Sequence, residues 1–315
     1  MRFGLVAVAV SSACWSGGAP APEPPPIPTP PPIQQVMVRD APGVHAMGID
    51  DRYLFWIGGE DGEEGIWRAE KRPGARAVRI AATTDARGLT LDRDRVWWGD
   101  GDTVHWISKT GATETVLLKA LPVNVWDITR DRDEVVVASY DPRQQRTRLG
   151  WYAITDGQPR RTVEMPGQGP LMLAQAEGVY VGTDLGFVRV KPDGTIEQVS
   201  QGDTEVQAIM FDGDTVLFGA AGQVHRAARS GGRSVELAAA NGVVSDVAAD
   251  DRFVYWGSEF QEPPGSAIYR VPKAGGRASV VARVGDPSSV IVDGEHLYWG
   301  DSERGVIVRR RRSAE

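Results

Sequence analysis

Apolar and polar residues alternate in short runs along most of this chain, and no window carries the 3.6-residue period of an amphipathic helix. Between residues 244 and 284 the runs read "VSDVAAD", "FVYWG", "AIYRV" and "ASVVARV", with turn residues between them. Each is a strand by length and alternation, so four strands occupy about forty residues.

The second run has close echoes: "YLFWIG" (53–58), "RVWWGD" (95–100), "FVYWGS" (253–258) and "HLYWGD" (296–301). Taking its second core position as an anchor gives Trp56, Trp98, Val137, Val181, Phe218, Trp256 and Trp299, at intervals of 42, 39, 44, 37, 38 and 43 residues. Six residues before the anchor stands Asp50, Asp92, Asp131, Gln175, Asp212, Asp250 or Asp293, and one residue after it a Gly or Ala in every unit except at Ile57. Glycine turns such as "SKTG", "KPDG", "RSGG" and "KAGG" join the third and fourth strands. Such spacing describes an array of four-stranded blades around a channel.

The seventh unit stops after three strands. Its missing piece lies at the other end, where "QQVMVRDAPGVHAMGID" (34–50) aligns with "ASVVARVGDPSSVIVD" (278–293). The expected fold is all-β: a seven-bladed β-propeller over 34–312, its ring closed by the N-terminal strand at about 34–39. Units such as "VIVDGEHLYWGDSERGVIVRR" and "FVYWGSEF…VPKAGG" resemble the YWTD-like (LDL-receptor class B type) repeat, and still more the tandem repeats of predicted secreted myxobacterial lipoproteins. That resemblance implies a propeller that binds partners rather than one that catalyses.

The residues ahead of the ring change the picture. "MRFGLVAVAVSSA" has a basic start, an apolar run and small residues, and Cys14, the chain's one cysteine, follows it. This resembles a bacterial lipoprotein signal over 1–14, with Cys14 as the lipidated residue. Residues 15–33 form a linker in which nine of the fourteen positions from 19 to 32 are proline, an extended tether of roughly 40 Å. Together they predict an exported protein, anchored in the outer membrane through lipid alone and facing periplasm or cell surface. A lone cysteine excludes internal disulfides and multi-cysteine metal sites. The net charge of −7 argues against nucleic acid as a partner, and the run Arg309–Arg312 reads as a solvated strand end.

Candidate chemistry is sparse. No serine elbow, zinc-binding histidine pair or phosphate loop occurs, and "GDGDT" at 99–103 is too short for a calcium loop. The repeated aspartates read as turn formers, His105 and His225 as third-strand packing, and the anchors as core. Charge in the loops between second and third strands is more telling, with 12 acidic and 4 basic side chains. Glu60, Asp61, Tyr140, Arg143, Glu259 and Phe260 are the partner-binding candidates on that face. Lys71, Lys109, Lys191, Arg229 and Lys273 fall on the opposite turns. The expectation is a monomeric binding or scaffold module for an envelope partner, with no catalytic residue and no cofactor. The alternative is a propeller hydrolase or lyase with a divalent cation, calcium for example, at the channel mouth.

Overall fold

The computed structural model describes residues 34–312 apart from 61, 112, 170, 176, 201–204, 241 and 260–264. The predicted signal, Cys14 and the proline-rich linker lie outside the described residues, as do Asp61 and Phe260. Within them are 28 strands in seven antiparallel sheets of four, and no helix. Blades 1 to 6 run in sequence order over 46–82, 86–118, 125–166, 171–198, 206–239 and 243–283. Blade 7 comprises Pro287–Asp293, His296–Asp301 and Val306–Arg311, completed by Gln34–Val38. Gln34 lies opposite Arg310 and Val36 opposite Val308, so the expected strand exchange is present and covers the edge of Val306–Arg311.

The core is divided among the seams between blades. Seven apolar clusters occupy seven seams, because alternate residues of each second strand face different neighbours. In "HLYWGD", Leu297 and Trp299 pack against Tyr255 and Ile268 of blade 6, whereas Tyr298 packs with Met37, Leu54 and Trp56 across the closing seam. Trp56, Trp98, Trp256 and Trp299 are fully buried, as core anchors should be. Each such ring removes about 150–250 Å² from water.

The small residue after each anchor has a steric cause. A Cβ on Gly99 would lie 2.3 Å from Val125 Cγ1, one on Gly182 2.4 Å from Val206 Cγ1, and one on Gly219 2.5 Å from Val244. Gly300 similarly faces Val44, at 2.8 Å. In these four blades a valine at or just before the next blade's first strand sits on the bare backbone of the second strand, and Pro287 takes that place opposite Gly257, which lets neighbouring blades close up.

First strands form the inner edge of every blade and have amides without a neighbouring strand. Side chains of adjacent blades accept several of them. Asp127 Oδ2 accepts from Met172 N (2.7 Å), Asp246 Oδ2 from Val290 N (2.9 Å), Gln207 Oε1 from Val244 N (3.2 Å) and Ser289 Oγ from Met47 N (3.2 Å).

Candidate functional site

The two faces of the ring differ in how their charges are used. On the turn face, the aspartates that begin the first-to-second-strand turns were expected to bond local amides. Asp50, Asp92 and Asp250 do so, each Oδ1 accepting from the two amides that lie two and three residues on. Asp131, Asp212 and Asp293 use another geometry, in which the next residue (Arg132, Gly213 or Gly294) takes a φ of 55–57°.

A second role of these carboxylates was not legible in the spacing. Lys109 reaches Asp50 of the preceding blade (3.1 Å), Arg130 reaches Asp92 (3.0 Å), Lys273 reaches Asp212 (2.7 Å), Arg312 reaches Asp250 (2.7 Å) and Lys71 reaches Asp293 (2.8 Å). In blade 4, where Gln175 replaces the aspartate, Glu177 takes Arg229 instead. Six seams are thus bridged by an ion pair. Burial pulls the Asp250 carboxyl up, but the Phe253 and Arg252 amides, Tyr255 and Arg312 outweigh it and hold it below the usual range. Asp50 and Asp92 are lowered in the same way. The basic turn residues Lys71, Lys109, Arg229 and Lys273 are therefore seam partners rather than a free cationic surface.

The run Arg309–Arg312, expected to be solvated, is also engaged. Arg309 Nε donates to Gln35 Oε1 (2.8 Å), Arg310 to the Val281 carbonyl, Arg311 to Glu295 (3.3 Å) and Arg312 to Asp250. Arg310 and Arg312 find their partners on blade 6, and Arg309 and Arg311 find theirs within blade 7.

The histidine slot is a packing slot, as expected. Third-strand residues stack on the anchors directly opposite: Trp67 on Trp56 (6.3 Å, 12°), His105 on Trp98 (5.4 Å, 18°), His225 on Phe218 (5.2 Å, 13°) and Tyr269 on Trp256 (5.5 Å, 15°). His105 also joins Thr103 Oγ1 (Nε2, 2.6 Å) and Glu114 (Nδ1), an order that resembles a nucleophilic relay. The Asp100 carbonyl, at 2.6 Å from Thr103 Oγ1, competes with the imidazole for the one hydroxyl proton.

The loop face is where side chains stand free. Part of its acidity is structural: Asp100 accepts from Thr84 and Asp85 amides, Asp184 from Gln168, Asp141 from Arg143, and Asp301 from Gly285, Asp286 and Arg304. The last residue of "WGD" is thus a clamp on the incoming blade linker. Two concavities carry candidate residues.

One is the channel mouth, about 400 Å³, whose lining includes His45, Trp126, Gln207, Glu259 and Asp286. Trp126 is 39% exposed, unlike the anchor tryptophans, and Arg87 lies over its ring at 5.1 Å. Burial raises the Glu259 carboxyl, and the Asp286 charge and a hydrogen bond from the same pair raise it further. Sequence spacing did not nominate this pair, because Asp286 comes from the next blade's linker. Two carboxyls fall short of the six to eight oxygens that calcium takes. Among the described residues, no three His, Cys, Asp or Glu side chains gather as metal ligands.

The other concavity is a cleft of about 520 Å³ beside the closing seam, lined by Asp40, Pro42, Gly59, Glu60, Glu63, Trp67, Arg76 and Ala77. Of the partner-binding candidates, Glu60 lies in this cleft and Glu259 at the mouth. Tyr140 and an exposed Arg143 stand on blade 3, away from both linings. The candidates share a face but do not converge on one pocket. Trp67, Asp40 and Asp286 were missed, the first because its position in the repeat reads as core.

No family model matches this chain, and no curated protein matches it. Solved structures do, at the level of fold. A structure titled Mitotic Checkpoint Complex aligns over 97% of this chain and 99% of its own, with a TM-score of 0.68 at 12% identity. The extracellular domain of the one-component system BT4673 from B. thetaiotaomicron aligns over 89% of this chain and 40% of its own, with a TM-score of 0.67 at 12% identity. BamB from Moraxella catarrhalis aligns over 85% and 83%, with a TM-score of 0.58 at 14% identity.

Proposed function

We propose that this protein is a non-catalytic binding or scaffold propeller of the cell envelope, held at a membrane by lipid on Cys14 and recognising a protein partner through its loop face. The observation that carries the reading is the asymmetry of the ring. The repeated lysines and aspartates of the turn face pair across the seams, whereas the loop face leaves Glu60 and Glu63 exposed at one concavity and Arg143 exposed on blade 3. The extracellular setting of one similar solved domain supports export. The aromatic-anchor repeats support kinship with YWTD-like repeats of secreted lipoproteins, on motif rather than on any family match.

Photo-crosslinkers placed at Glu60, Tyr140, Arg143 and Glu259 test the reading in living cells. Capture of one envelope protein from loop-face positions, with none from Asp214 on the turn face, is expected; no capture, or equal capture from both faces, refutes it. Cys14→Ser is expected to abolish lipid labelling and release the protein from membranes, and unchanged retention sinks the anchor.

The Glu259–Asp286 pair favours one second reading, a hydrolase or lyase using a divalent cation at the mouth. A calcium-dependent rise in melting temperature, lost in Glu259→Gln, would support it, since a ligand of the folded state stabilises that state.

A further inference from the structure

We infer that the cleft beside the closing seam is a docking site for an arginine side chain carried on an extended segment of a partner protein. The inference deepens the loop-face reading and rests on it.

Three features of the cleft converge on a planar cation. The first is its floor. Trp67 is half-buried, its indole stacks on Trp56 and its Nε1 donates to the Gly58 carbonyl (3.0 Å), so the indole that lines the cleft is rigid and its polar atom is already satisfied. What it offers a ligand is aromatic surface. The second is its rim. Asp40, Glu60 and Glu63 are exposed, and among the described residues their carboxylates have neither an ion pair nor a hydrogen-bond partner. This separates them from Asp100, Asp184 and Asp301, which backbone amides already hold. Arg76, the one cation in the lining, leaves the rim with a net negative charge.

The third is size. About 520 Å³ accommodates one long side chain with flanking backbone. An aromatic floor and a carboxylate rim together favour guanidinium over ammonium. The guanidinium is flat enough to lie against indole and carries a fork of donors that two carboxylates can share. An anionic or purely apolar segment meets unpaired carboxylates here and is rejected.

Gly59 and Glu63, on either side of residue 61, pack closely against each other. Gly59 takes a φ of 120°, where a Cβ would lie 2.4 Å from the Glu63 carbonyl, and the Glu63 amide closes the turn onto the Glu60 carbonyl at 3.0 Å. Glu60 and Glu63 are thereby brought together by their backbones at the cleft.

The test follows the indole Nε1–H resonance of Trp67 by NMR in the intact propeller. The probe is a heptapeptide of serine and glycine with one central arginine. Saturable movement of that resonance is expected. Replacing arginine with citrulline, or combining Glu60→Gln with Glu63→Gln, is expected to weaken binding about fivefold or more, and Asp214→Asn on the turn face to leave it unchanged. Binding should also weaken with added salt. Equal response to the citrulline peptide, or full binding by the Glu60→Gln, Glu63→Gln variant, overturns the inference. Free L-arginine binding as tightly as the peptide overturns it as well, because the site would then serve a small molecule. Crosslinked capture from Arg143 or Glu259, with no response at Trp67, removes the cleft and spares the loop-face reading; absence of capture everywhere removes that reading itself.

Discussion

Lys71, in the turn after the third strand of blade 1, donates to Asp293 of blade 7 at 2.8 Å, across 222 residues of sequence. It also donates to the Asp50 carbonyl of its own blade at 2.6 Å, so one ammonium ties both sides of the closing seam. The seam has further fastenings: Gln34–Val38 in blade 7, Ser302 Oγ donating to the Val44 carbonyl at 2.6 Å, and the Met47 amide on Ser289. These fastenings add to the apolar cluster that packs across the same seam.

Replacing Lys71 with Met is expected to lower stability by about 1 kcal/mol, a modest value because the Asp293 side chain is 37% exposed. A double-mutant cycle with Asp293→Asn should return a coupling of about 0.5 kcal/mol in urea unfolding. Zero coupling would mean the pair contributes no closure energy.

Met37, fully buried in the exchanged strand, should matter more. Met37→Ala is expected to cost about 2–4 kcal/mol, measured as a fall in the denaturation midpoint. Gln34→Ala, at the exposed end of the same strand, should change it by less than about 0.5 kcal/mol. Deleting residues 34–38 uncovers the edge of Val306–Arg311, and size-exclusion chromatography should then report aggregation.

Gly99→Ala tests the seating of valine on bare backbone. Its Cβ would meet Val125 Cγ1 at 2.3 Å, and overpacking of this kind costs about 1–3 kcal/mol. Adding Val125→Ala should recover part of that loss, since it removes the clashing methyls. If the double variant is less stable than the sum of the two singles, the steric account fails.

Stability should also depend on pH in a stated direction. Burial raises the carboxyls of Asp127, to about 7, and Asp246, to about 6, against bonds from the Met172 and Ile128 amides and from the Val290 and Val247 amides, respectively. The folded state therefore favours their neutral forms. That contribution is complete below the ordinary value of 3.8 and is lost as pH rises through about 6 to 7. The lowered turn carboxylates Asp50, Asp92 and Asp250 act oppositely, losing their contribution as pH falls below 3.8. Thermal melts should place maximum stability between these windows, and Asp246→Asn should flatten the fall on the neutral side. A melting temperature that rises from pH 5 to pH 8 would contradict the assignment.

Much of this architecture was legible before any coordinates. Strand alternation, the anchor interval of about forty residues and the glycine turns are local properties, settled within one blade by backbone geometry and by which side chains must leave water. The fourth strand missing from the last repeat was equally visible, because an array with an unpaired edge has to borrow a partner. By itself, then, the sequence determined the blade count, the strand exchange and the core anchors.

Tertiary structure decided everything that happens between blades. Asp293 reads as a turn residue until Lys71 arrives from the far end of the chain, and Asp301 reads as loop charge until it clamps the Gly285 and Asp286 amides. Trp67 repeats the position of His105, His225 and Tyr269, so nothing in its spacing separates a core ring from the floor of a cleft. The difference arises because Asp40 and Pro42, which follow the exchanged strand, come to rest beside the loop that carries Glu60 and Glu63. Partners across separate sheets come from distant parts of the chain, and the alternation within one blade does not say which of them will meet.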